Sequence, residues 1–113
     1  MKSVLTVTVL SLAFVVAQAQ TSTGQFALSG AGTSSCGKYI AASSKEEVVL
    51  FYISWVQGFL SGMNIGYARG AKLEFIVLPD SDTIKLYLDR YCRDNPLKTP
   101  LDGALDLYDK IRK

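Results

Sequence analysis

Residues 44–70 read SKEEVVLFYISWVQGFLSGMNIGYARG, an almost uncharged run with acidic residues near one end and Arg69 near the other. Apolar side chains recur at three- and four-residue steps on two adjoining stripes, Val48, Tyr52, Trp55 and Phe59 on one and Val49, Ile53, Val56 and Leu60 on the other. That period predicts a single long helix. Glu46 and Glu47 in the first turn and Arg69 in the last complement the helix dipole, and Ser44 with Glu47 three residues on predicts a capping box. A helix that is apolar round most of its circumference is the core of a helical domain or a membrane span. Ser54, Gly58, Gly62, Gly66 and Gly70 form a further stripe at every fourth position. An internal glycine costs a helix about 1 kcal/mol relative to alanine, so the stripe predicts another backbone packed closely against Gly58, Gly62 and Gly66, with Trp55 alongside.

Two cysteines arbitrate between core and span. The chain opens MKSVLTVTVLSLAFVVAQAQ, in which Lys2, an apolar run and the ending Ala17-Gln18-Ala19 have the pattern of a secretory leader over residues 1–19. An exported chain whose only cysteines are Cys36 and Cys92 is expected to pair them. A membrane span over residues 48–68, long enough though it is, would put the two on opposite sides of a bilayer. The core reading is therefore preferred, and the bridge is worth about 4 kcal/mol on the chain-entropy account.

Outward from the long helix, residues 20–35 are rich in Gln, Ser, Thr and Gly and read as a flexible lead-in to one helical domain over 36–113. Residues 36–42 give a short helix capped by Ser34 or Ser35. After Gly70 the run Leu73 to Leu78 lacks a partner strand and reads as an extended connector ended by Pro79, the alternative being a hairpin of 24–30 with 72–78. Asp80 or Ser81 caps a helix to about Arg93, with Ile84, Leu88, Tyr91 and Cys92 inward. Thr99, Pro100 and Asp102 open a last helix, with Leu101, Ala104, Leu105, Tyr108 and Ile111 as its buried stripe and an Asp106–Lys110 pair outside. The expected fold class is all-α: a small four-helix domain with a long central helix and one disulfide.

The composition excludes most chemistry. The chain has no histidine and a formal net charge of +2, from 12 basic and 10 acidic residues, which offers no polyanion-binding surface. Without histidine or a free thiol there is no Ser-His-Asp or Cys-His arrangement, and no catalytic residue, metal ligand or cofactor is assigned. Asp102, Asp106 and Asp109 lie along one helix, where they cannot wrap a hard cation. The glycine spacing lacks the Gly-Lys-Ser/Thr of a phosphate loop. Trp55 and the tyrosines at 52, 67, 87, 91 and 108 fall at helical spacings that suit a core better than a groove. Composition, periodicity and spacing thus lead to a small exported helical domain and assign it no function.

Cys36-Gly37-x-Tyr39, then WVQGFLSGMN at 55–64, then YCRDNPL at 91–97 with an Ala- and Leu-bearing terminal helix, resembles the small exported Rap/Tai immunity family over roughly residues 36–111. The resemblance implies a periplasmic all-α protein, often dimeric, that protects type VI secreting bacteria by blocking the active-site cleft of a cell-wall amidase. The matched motifs are scaffold, so it carries over no inhibitory residue; for the partner it implies, the connector from Lys72 to Asp82, with Lys72, Glu74, Asp80 and Asp82, is the candidate contact surface, the alternative being an ordinary surface loop. A looser similarity, to small single-disulfide periplasmic acid-stress chaperones, supplies the alternative of a chaperone or other non-catalytic envelope protein.

Overall fold

Residues 28–113 are described by a computed structural model. The leader at 1–19, the first part of the lead-in and the first strand of the alternative hairpin up to residue 27 lie outside the described residues. The elements are a 3-10 turn at Ala31–Thr33, then α1 (Cys36–Ala42), α2 (Glu46–Gly70), α3 (Ser81–Asp94) and α4 (Pro100–Arg112). Among the described residues there is no strand, and 72–80 is extended chain rather than half of a hairpin.

Local chemistry sets most boundaries. The Ser35 side chain accepts from the Lys38 N–H at α1, and Asp80 does the same for Thr83 at α3. Thr99 and Asp102 complete a reciprocal box at α4, with Pro100 at the first helical position. The expected box of Ser44 with Glu47 does not form. The chain leaves α1 through a tight turn in which the Lys45 N–H donates to the Ala42 carbonyl at 2.9 Å. That turn takes up Ser44 and starts α2 at Glu46, with Lys45 in the cap position and no side-chain cap.

α2 is the axis on which the 3-10 turn, α1, α3 and α4 all pack. The core is built from Cys36 and Tyr39 of α1, Val49, Tyr52, Ile53, Val56 and Leu60 of α2, Ile84, Leu88 and Cys92 of α3, and Ala104, Leu107 and Tyr108 of α4. Leu60, Ile84 and Leu88 are wholly buried, each worth about 2 kcal/mol relative to exposure. On α4 the inward face is rotated from the one expected: Leu107 is buried where Leu105 is exposed, and Gly103 seats the helix against Leu88 and Tyr91 of α3. The Cys36–Cys92 disulfide is present and ties α1 to α3. These two helices flank α2 in the chain, and α2 is, among the described residues, the one helix long and apolar enough to cross a membrane.

The end of the lead-in is packed on the domain. From Ser29 to Ser34 it lies on α2, where the Trp55 indole N–H donates to the Ser29 carbonyl at 2.9 Å and Ser34 shares a hydrogen bond with the Tyr52 hydroxyl. A side chain at Gly32 would collide with the Trp55 ring, and Gly30, at φ 107°, also lies against it. Trp55 thus packs on this turn. The other tight glycine is Gly103, where an added Cβ would meet Tyr91 at 2.9 Å and Leu88 at 3.0 Å. At Gly58, Gly62, Gly66 and Gly70 an added Cβ would meet nothing within 4 Å. The close packing expected at the helix-spaced glycines is therefore not found among the described residues, since α1, α3 and α4 cover the other side of α2.

Candidate binding surface

The connector is a strap laid back along α2. Lys72, at φ 54°, reverses the chain after the helix, with the Tyr67 carbonyl accepting from both the Ala71 and the Leu73 N–H. Asn64, buried on α2, then grips the strap at its centre. Its Nδ2 donates to the Ile76 carbonyl at 2.9 Å, while its Oδ1 accepts from the Ile76 N–H at 3.3 Å and from the Tyr108 hydroxyl at 3.1 Å. A side-chain amide can match a backbone in this way because it carries the same donor and acceptor pair. Arg112 reinforces the grip: it donates to the Tyr108 hydroxyl and to the Glu74 carbonyl, and its guanidinium lies over the stacked rings of Tyr67 and Tyr108.

Pinning Ile76 inward turns its neighbours outward, because successive side chains of extended chain point to opposite sides. Phe75 is 67% exposed and Val77 93%, with Leu73 beside them. Among the described residues the backbone N–H and C=O groups of Phe75 and Val77 make no hydrogen bond. The strap thus offers apolar side chains and free backbone groups on one edge, the combination by which an extended segment of another protein is recognised.

The four charged residues expected here divide. Lys72 and Glu74 lie exposed on the strap. Asp80 is committed to capping α3, and its hydrogen bonds with Thr83 hold its carboxyl below the ordinary carboxylate range. Asp82 stands exposed in the first turn of α3. Sequence reading chose the charges and passed over Leu73, Phe75 and Val77, since an unbroken apolar run gives no sign of which members face out.

Two polar clusters away from the strap are structural. Asp89 accepts from the buried Tyr39 hydroxyl at 2.8 Å and from Lys85 at 2.7 Å; burial, then this hydrogen bond, pushes the Tyr39 phenol far up. Lys110 donates to Asp106 and to the Tyr87 hydroxyl, which in turn donates to Asp106. The Lys110 and then the Tyr87 hydrogen bond hold the Asp106 carboxyl below its ordinary range. Each of these groups is engaged in holding helices together. Among the described residues no three of His, Cys, Asp and Glu converge on a point that could hold a metal ion.

No family model, curated protein or solved structure matches the chain. The functional reading therefore rests on the surface itself and on the motif resemblance. The disulfide is compatible with an oxidising, exported location.

Proposed function

We propose that the protein is a non-catalytic, periplasmic immunity-type binder whose strap engages a protein partner, that partner being a cell-wall amidase whose cleft it blocks. The observation that carries the binding part is the exposure of Phe75 and Val77 on a segment anchored at Ile76 by Asn64. Apolar side chains held outward on a fixed backbone cost little further ordering entropy on binding. The amidase part is supported by the order of the motifs at 36–39, 55–64 and 91–97.

The test is capture of partners from periplasmic and secreted proteins by the oxidised chain from residue 20 onward. A stoichiometric peptidoglycan amidase whose activity falls on binding is the expected result, and Phe75→Ser with Val77→Asp should abolish its capture while leaving thermal stability within about 0.5 kcal/mol, as for exposed positions generally. Failure to recover a hydrolase would sink the immunity reading, and loss of the variant's fold would sink the surface.

The acid-chaperone alternative draws no support from the displaced carboxylates. Asp80 and Asp106 both have lowered pKa values. A group depressed on folding stabilises above its unfolded pKa and loses that contribution only as pH falls through the folded one. The stability difference between the wild type and Asp106→Asn should accordingly be constant from pH 7 to about pH 5 and shrink below about pH 4, followed by thermal melts. An acid trigger in that upper interval needs carboxylates displaced the other way.

A further inference from the structure

The side of α2 that faces away from α1, α3 and α4 bears Glu47, Phe51, Ser54, Gly58, Gly62, Ile65 and Arg69, every one of them exposed. Phe51 is 71% exposed and Ile65 49%. Their steps along the helix are four, three, four, four, three and four, so the row reads the same from either end about Gly58. Matching positions on the two sides of Gly58 are complementary in kind. Glu47 mirrors Arg69, Phe51 mirrors Ile65, and Ser54 mirrors Gly62.

We infer that this face of α2 pairs antiparallel with the same face of a second copy, the twofold axis passing at Gly58. Such an interface is isologous, each contact occurring twice. Glu47 of each chain meets Arg69 of the other, and neither takes part in the ion pairs of the described residues, which are Lys85–Asp89 and Asp106–Lys110. Phe51 lies on Ile65 of the other chain. At the centre the absence of side chains at Gly58 and Gly62 lets the backbones approach more closely than the 8–10 Å usual between helix axes.

The spacing also sets how far the contact extends. Glu47 to Gly58 and Gly58 to Arg69 are each eleven residues, and an eleven-residue repeat keeps a stripe almost straight along a helix. Two such helices stay in contact for roughly 33 Å, the length of 22 residues at 1.5 Å each, which brings both charged ends together. Burial of Phe51 and Ile65 supplies the driving force and the end charges supply the direction, since parallel pairing would set Glu47 against Glu47 and Arg69 against Arg69. The inference is independent of the amidase reading, because it uses a different face from the strap.

The test is sedimentation equilibrium of the oxidised chain from residue 20 onward, at neutral pH. The expected result is a monomer–dimer equilibrium. Gly58→Lys, where the added side chain enters open space in the monomer, should raise the dimer dissociation constant at least about a hundredfold by facing two lysines across the axis. Glu47→Arg alone and Arg69→Glu alone should each weaken the dimer, and the double reversal should restore it, a rescue that only this antiparallel register gives. Circular dichroism of each variant shows that the helices are retained. A monomer at all concentrations, a dimer indifferent to Gly58→Lys, or a double reversal no better than the singles would overturn the proposal. So would a monomer that instead binds phosphatidylethanolamine–phosphatidylglycerol vesicles through Phe51.

Discussion

Replacing Cys36 and Cys92 with alanine is expected to cost about 4 kcal/mol through loss of the bridge alone. The bridge closes a sequence separation of 56 residues that contains all of α2. Total stability for a domain of this size is about 5–15 kcal/mol, so the double variant sits close to unfolding at body temperature. At about 4–8 °C for each kcal/mol, its melting temperature should fall by roughly 15–30 °C. The loss is not spread evenly. α1 is only seven residues long and would be marginal by itself. Its other ties to the rest are the Cys36 N–H to the Lys98 carbonyl, Tyr39 to Asp89 and its apolar packing. Hydrogen exchange should therefore rise first in α1 and in the turn that rests on Trp55, ahead of α3 and α4. A melting shift below about 5 °C, or exchange rising uniformly, would mean that packing and not the bridge holds α1 in place.

The second large effect is at Asn64. Asn64→Ala removes two hydrogen bonds to Ile76 and the one from Tyr108, and should cost about 2–3 kcal/mol, near 1 kcal/mol for each bond. Its particular consequence is local. With the Ile76 backbone released, only the Arg112–Glu74 hydrogen bond and the packing of Ile76 and Leu78 hold the middle of the strap, and Phe75 and Val77 lose much of their fixed orientation. The Ile76 amide should pass from protected to freely exchanging, and capture of a protein partner through the strap should weaken although Asn64 itself is buried and touches no partner. Asn64→Asp is the sharper control, since it keeps an acceptor for the Ile76 N–H and sets a carboxylate against the Ile76 carbonyl. If partner binding survives Asn64→Ala unchanged, the strap is not the binding surface.

The helix caps were legible in the sequence where they were because a cap is a contact between residues three apart. Ser35, Asp80 and the Thr99–Asp102 box need only the local chain, and they form as expected. Ser44 failed as a cap because the turn leaving α1 competed for it. The proposed surface lies on the segment that sequence reading marked, but it rests on different side chains of that segment. Charge marks Lys72, Glu74, Asp80 and Asp82 in any sequence, whereas the outward turn of Phe75 and Val77 depends on Asn64, eleven to thirteen residues away.

By itself the sequence determined an all-α chain of four helices, the caps of α1, α3 and α4 and the joining of α1 to α3, since these follow from short-range periodicity, local hydrogen bonding and a single possible cysteine pair. The tertiary structure decided which side of α2 is core. A helix apolar nearly all round has no preferred face, so only the placement of α1, α3 and α4 could bury Val56 and Leu60 and leave Phe51 and Ile65 outside. It also decided which glycines are needed. Regular spacing drew attention to Gly58, Gly62 and Gly66, but close contact is a property of two surfaces, and within one chain it occurs at Gly32 against Trp55 and at Gly103 against Leu88 and Tyr91.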